Sequence, residues 1–101
     1  MQDLKRISDI VPSGALYEAE RIDLGEILNK DVLISDFQIR PGNFGEFAII
    51  LIALEDGQQR VVVTGAQAVV RKLKAAAGQQ PFLARFVQRR STSGRRYYDL
   101  E

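Results

Sequence analysis

Residues 47–64 read FAIILIALEDGQQRVVVT, and this stretch decides the fold. Two β-rich runs, residues 47–54 and 60–64, flank a turn that contains Asp56-Gly57. An Asp-Gly pair between two such runs is a strong short-range signal for a β-hairpin. The first run is apolar on both of its faces, and an apolar outer face would serve as an interface with a second copy or with another protein.

The stretch upstream of this hairpin is a third expected strand, residues 32–40. Its apolar positions shift from Val32 and Ile34 to Phe37 and Ile39, and this change of parity predicts a bulge or bend. A turn cluster over residues 41–46 would connect it to the hairpin.

Residues 1–30 are expected to form an N-terminal arm that caps the core. The arm begins with aliphatic residues at near-helical spacing, followed by a Pro-Ser-Gly break at residues 12–14. Asp23 and Glu26 have the spacing of a capping box, which predicts a short helix over residues 23–29. The aliphatic residues of the arm are Leu4, Ile7, Ile10 and Val11.

Downstream of the hairpin the apolar period becomes helical. The apolar stripe from Ala66 to Ala77 ends at Gly78, a good residue to terminate a helix. The basic residues Arg71, Lys72 and Lys74 lie off this stripe and are expected to form a solvated helix face. Residues 80–90 and 95–100 are the fourth and fifth expected strands, joined by a polar turn.

The expected element order is strand, strand, strand, helix, strand, strand. It predicts an all-β domain with one helix between the third and fourth strands. This order fits the five-stranded Greek-key barrel of the OB-fold over residues 31–101. An SH3-like barrel or an open α+β sheet would use the same elements.

Composition argues for a binding protein and against an enzyme. The chain has 101 residues, no Cys and no His. It therefore lacks thiol nucleophiles, the commonest general base and the commonest metal ligand, so we expect no cofactor and no metal. The sequence has neither the apolar region of a signal peptide nor an apolar run approaching the roughly 20 residues of a membrane span. We therefore expect a cytoplasmic protein with no membrane contact.

The net charge of +1 hides an asymmetry along the chain. Eight of the 14 basic residues, but only two of the 13 acidic ones, lie in residues 71–101. Most of these bases are Arg, which pairs with phosphate and stacks on nucleobases. The basic end is therefore either a nucleic-acid footprint or an ordinary solvated surface.

Nine residues are candidates for nucleic-acid binding, because aromatic side chains stack on bases and cations neutralise phosphates. In an OB-fold the ligand crosses strands two and three between two loops, which here are residues 41–46 and 91–95. The alternative is core packing for the aromatic residues and a solvated surface for the charged ones. Tyr98 shares parity with Leu100 and is expected inward, which leaves Tyr97 outward. The candidates are Arg40, Phe44, Phe47, Arg60, Arg89, Arg90, Arg95, Arg96 and Tyr97.

Four segments carry a family resemblance: residues 30–37 (KDVLISDF), 45–49 (GEFAI), 55–57 (EDG) and 93–100 (SGRRYYDL). On these segments the chain from Lys30 to Glu101 resembles the small OB-fold single-stranded DNA-binding proteins of phage and bacterial type. The resemblance implies non-catalytic, largely sequence-independent binding of single-stranded DNA, with RNA as a further possible ligand, in replication or recombination.

Bacterial members of that class typically end in an acidic tail that recruits other proteins. This sequence ends at Leu100-Glu101, so recruitment of that kind is not expected. The alternative function is an OB-like protein-interaction or scaffold module with no nucleic-acid ligand. Either function is compatible with a homo-oligomer.

Overall fold

The structure, a computed structural model, describes residues 17–101. This part of the chain is mostly β with a single α-helix, as the sequence predicts; the helix follows the fourth described strand and not the third, because the short first strand was not expected. The near-helical apolar pattern of residues 4–11 lies outside the described residues. The elements are β1 (Glu20–Arg21), the 3-10 helix η1 (Leu24–Ile27), β2 (Asp31–Gly42), β3 (Gly45–Ala53), β4 (Gln59–Thr64), α1 (Gln67–Ala75), β5 (Phe82–Arg90) and β6 (Arg96–Leu100).

The strands form one open six-stranded sheet in the order β1-β4-β3-β2-β5-β6. Strand β1 is parallel to β4, and all other neighbouring strands are antiparallel. Strand β2 is shared by two ladders: it pairs with β3 as far as Gly42, and with β5 only over Asp31–Ile34. The predicted bulge is confirmed, because the β2–β3 register shifts between Ile34 and Asp36.

The strand count and the sheet closure differ from the sequence-based expectation of a five-stranded barrel. The sixth strand is β1, whose two residues pair with Arg60 and Val61 on the outer edge of β4. A strand of two residues is too short to show the alternating pattern from which strands are predicted. With β1 on that edge, the ladders of the described residues end at β1 and β6 and leave the sheet open.

The expected short helix over residues 23–29 is also shorter than predicted. Only Leu24–Ile27 are helical, with 3-10 geometry, and the Asp23 amide donates a hydrogen bond to the Glu26 carboxylate at 3.4 Å. The side chains of Leu24 and Ile27 are buried in the core.

The core lies on one face of the sheet, beneath α1 and η1. Alternate residues of β2, β3, β4 and β5 point into it, and α1 contributes its apolar stripe. None of the helices among residues 17–101 has the length and apolarity to cross a membrane. The central side chains of this core are Ile34, Ile50, Ile52, Val62, Val69, Leu73 and Phe86.

The connection between β2 and β3 is tighter than the loop expected over residues 41–46. Gly42 pairs directly with Gly45, so only Asn43 and Phe44 form the turn. A Cβ on Gly42 would lie 2.8 Å from the Gly45 carbonyl oxygen, and Gly45 has φ +114°. Both glycines are therefore required for this two-residue turn.

Candidate nucleic-acid interface

The β2–β3 hairpin ends in an aromatic cluster formed by Arg40, Phe44 and Phe47, which we name the aromatic tip. Phe44 is fully exposed at the turn. Arg40 lies directly opposite Phe47 in the ladder, and its guanidinium donates to the Gln38 side-chain oxygen at 3.1 and 2.7 Å. Phe47 itself is half-buried. The aromatic tip thus presents one free ring beside one oriented guanidinium.

The aromatic tip is anchored to α1. The Gln67 side-chain amide donates to the Glu46 carbonyl at 3.0 Å and to the Gly65 carbonyl at 2.9 Å. Lys74 forms an ion pair with the Glu46 carboxylate. These contacts fix the base of the hairpin against the helix. Phe44 therefore projects into solvent from a hairpin whose position is fixed.

A second cluster, the basic hairpin, is formed by Arg90, Arg95 and Arg96. Arg90 lies directly opposite Arg96 in the β5–β6 ladder, and all three side chains are exposed. Within residues 17–101, none of the three forms an ion pair with a carboxylate. Like charges directly opposite each other destabilise a β ladder. An anion bound between these side chains would remove that repulsion.

Two other predicted arginines are paired with groups of the protein itself. Arg89 forms ion pairs with Asp99 at 2.7 Å and with Glu101 at 3.0 Å. Arg60 donates to the Gln59 carbonyl at 2.7 Å and to the Gln58 side chain. It lines an open cleft that also holds Lys30, Arg85, Asp31, Glu55 and Asp56. Because acids and bases are mixed there, Arg60 does not extend the basic hairpin.

Comparison with known proteins supplies a family. Residues 18–101, which include every described element, match the model of a family described as "Domain of unknown function (DUF8468)". The chain belongs to the DUF8468 family. No curated protein and no solved structure gives a significant match. Both clusters of this DUF8468 chain lie within the matched residues.

The register places the two clusters at opposite ends of the DUF8468 sheet. Strand β2 runs toward the aromatic tip, whereas antiparallel β5 passes the start of β2 at Arg85 and continues for five more residues to Arg90. The sequence predicts that both clusters flank one ligand site, but the strand ladders of the described residues do not pair the two clusters with each other. Tyr97 belongs with the basic hairpin, because it pairs with Arg89 and is 39% exposed. Tyr98 is half-buried against the core, as its parity predicts.

Asp99, the buried charged side chain among residues 17–101, was not among the predicted site residues; it is 6% exposed. Its carboxylate binds Lys72 at 3.0 Å and Arg89 at 2.7 Å, and it accepts the Leu100 amide at 2.8 Å. Burial by itself would raise the pKa of Asp99, but these hydrogen bonds outweigh it and the pKa is lowered. Strand parity did not indicate this burial, because Asp99 alternates with Tyr98 and Leu100 and is expected on the opposite side of the strand.

The expected basic face of α1 is exposed to solvent, and two of its three bases also form ion pairs. Lys72 reaches Asp99 and the Leu100 carbonyl, and Lys74 reaches Glu46, whereas Arg71 is exposed. These contacts tie α1 to β6 on one side and to the aromatic tip on the other. Within residues 17–101 no group of three or more His, Cys, Asp or Glu side chains is placed to hold a metal ion.

Proposed function

We propose that this DUF8468 protein binds single-stranded nucleic acid without catalysis and largely without sequence preference. In this proposal Arg90, Arg95 and Arg96 contact phosphates, while Phe44 and Tyr97 stack on bases. The preference for DNA over RNA, and a role in replication or recombination, rest on the sequence resemblance. An OB-like fold, in which β2 to β6 are the five strands and α1 the intervening helix, is part of the same proposal.

The observation that carries the proposal is the opposition of Arg90 and Arg96 with Arg95 beside them. Three exposed guanidinium groups repel one another at the end of a hairpin. Among the described residues, no carboxylate forms an ion pair with any of the three. A phosphate backbone supplies successive negative charges, and Arg binds phosphate through paired hydrogen bonds. The fully exposed ring of Phe44 adds a flat surface on which an unpaired base can stack. The bases of a duplex are already stacked on one another and would not be free to contact this ring.

The test is fluorescence anisotropy with a labelled oligo-dT of about 30 nucleotides, longer than the roughly 4–16 nucleotides bound per OB-fold. We expect tight binding that weakens steeply as salt is raised, and poor binding to a duplex of equal length. A matched oligo-rU measures the preference for DNA. Absence of binding at low salt would reject the proposal.

Changing Phe44→Ala should weaken single-strand binding by about 5- to 160-fold, the range that corresponds to one lost base stack. The slope of affinity against salt should stay unchanged, because no charge is removed. The melting temperature should also stay unchanged, because the ring is fully exposed. The matched control is Leu83→Ala, which removes an apolar side chain that is 74% exposed on β5. An equal loss of affinity in both variants would remove Phe44 from the interface.

A second candidate function, protein interaction, is favoured by Leu83. This side chain is 74% exposed and pairs in the ladder with Leu33, on the side of the sheet turned away from the core. An exposed apolar side chain beside a half-buried one suits a partner protein or a second copy. Size-exclusion chromatography, with and without Leu83→Ala, distinguishes a homo-oligomer from a monomer.

A further inference from the structure

The face of the sheet turned away from the core, which we name the outer face, is apolar at its centre. Alternation along β3 and β4 places Phe47, Ile49, Leu51, Val61 and Val63 on it. Ile49 is 3% exposed and Val61 is 0% exposed, although neither belongs to the core cluster. Such complete burial at the centre of a sheet face requires protein groups packed above the sheet as well as neighbouring strands beside the residue.

The chain enters the described region across this outer face. The Tyr17 hydroxyl donates a hydrogen bond to the Asp36 carboxylate at 3.2 Å, and Asp36 is the ladder partner of Leu51. Burial raises the pKa of Tyr17 to about 12, with further contributions from the charge and hydrogen bond of Asp36. Residues 1–16 are therefore joined to a tyrosine whose hydroxyl binds a residue next to the apolar centre.

We propose that residues 1–16 dock on the outer face through Leu4, Ile7, Ile10 and Val11. These aliphatic residues recur at spacings of three and four, which gives a helix one apolar stripe. Sixteen residues reach about 24 Å as a helix and about 50 Å when extended, enough to cross three strands spaced about 4.8 Å apart.

The tether favours this segment over a second copy as the occupant. A short linker holds a segment near its site at an effective concentration on the order of millimolar, far above the micromolar concentration of a second chain. The inference goes beyond the proposed function. With the centre of the outer face occupied by its own chain, bases would stack at the hairpin ends and not across β3 and β4.

The test uses the full chain without nucleic acid, so its result is independent of the proposed function. Because the chain has no Cys, Leu51→Cys introduces a single reactive thiol on the outer face. Adding Ile7→Asp and Ile10→Asp should accelerate maleimide labelling of that thiol by about tenfold or more, because charge on the stripe opposes burial. The matched control, Gln2→Asp with Ser13→Asp, adds the same charge away from the stripe and should leave the rate unchanged. An unchanged rate in the Ile7 and Ile10 variant would overturn the inference.

Cross-linking gives a second measurement that does not depend on the charged variants folding. A short bis-maleimide should join Ile7→Cys to Leu51→Cys within one chain, and should not join Ile7→Cys to Gln79→Cys, an exposed position just beyond α1. A link between two chains would assign the outer face to a second copy, and equal linking to both positions would show that residues 1–16 do not dock. Either result overturns the inference.

Discussion

Replacing Arg90, Arg95 and Arg96 together with Ala should flatten the salt dependence of single-strand binding. Each phosphate contact on a single strand contributes about 0.7 to the slope of log K against log salt, so the loss of three contacts lowers the slope by about 2. At about 0.1 M salt this corresponds to roughly 100-fold weaker binding. The melting temperature should not fall, because the change removes like charges that face each other in the ladder.

The matched control removes the same number of charges elsewhere. Arg21, Lys30 and Arg71 are exposed and, among the described residues, form no ion pair. Changing these three to Ala should leave the slope nearly unchanged. If both triple variants lower the slope equally, the protein binds through its general charge, and the basic hairpin is not the contact site.

Changing Asp99→Asn should produce the largest loss of stability among the charge variants. The substitution leaves Lys72 and Arg89 facing a neutral amide at a position where the native carboxylate is 6% exposed. Breaking a buried ion pair from one side costs about 3–5 kcal/mol, but Lys72 and Arg89 are half-exposed and water compensates in part. We therefore expect a loss of about 2 kcal/mol in the free energy of unfolding, or about 10 °C in melting temperature.

The same residue predicts how stability depends on pH. Because the pKa of Asp99 is lowered in the folded protein, its contribution is complete above its unfolded pKa of about 3.9 and is lost as pH falls through the folded pKa. Asp99→Asn should therefore lose less stability than the parent between about pH 5 and about pH 2. Urea denaturation across this range measures the difference. Glu55→Gln, at an exposed turn position, is the control and should lose as much stability as the parent over this pH range. If Glu55→Gln lost as little stability as Asp99→Asn, the assignment of the pH dependence to Asp99 would be contradicted.

The parts of the fold that local chemistry determines could be read from the sequence. The parity change between Ile34 and Phe37 predicted the bulge, and Asp56-Gly57 predicted the turn after β3. Strand β1 could not be predicted, because a parallel pairing of two residues depends on where β4 lies in space. The tight turn at Asn43-Phe44 was overestimated in length, since a turn cluster marks a reversal without fixing how far the ladder extends.

The residues of the candidate site were likewise predictable only in part. Strand alternation separated Tyr97 from Tyr98, and the turn signal left Phe44 without a place in the core. The roles of Arg60 and Arg89 needed the tertiary structure, because a free guanidinium and an ion-paired one look alike in sequence. The contact between Lys72 and Asp99 joins elements 27 residues apart and leaves no local pattern.

The double membership of β2 has a mechanical consequence. Nine residues of β2 pair with β3, but only four pair with β5, so the half of the sheet with the aromatic tip joins the half with the basic hairpin through a short ladder, supported by α1. The span between the two clusters is therefore set by hydrogen-bonded backbone and not by loops. A single strand of nucleic acid that contacts both clusters would have to span this fixed distance. The number of nucleotides that one protein molecule covers would therefore be set by the fold.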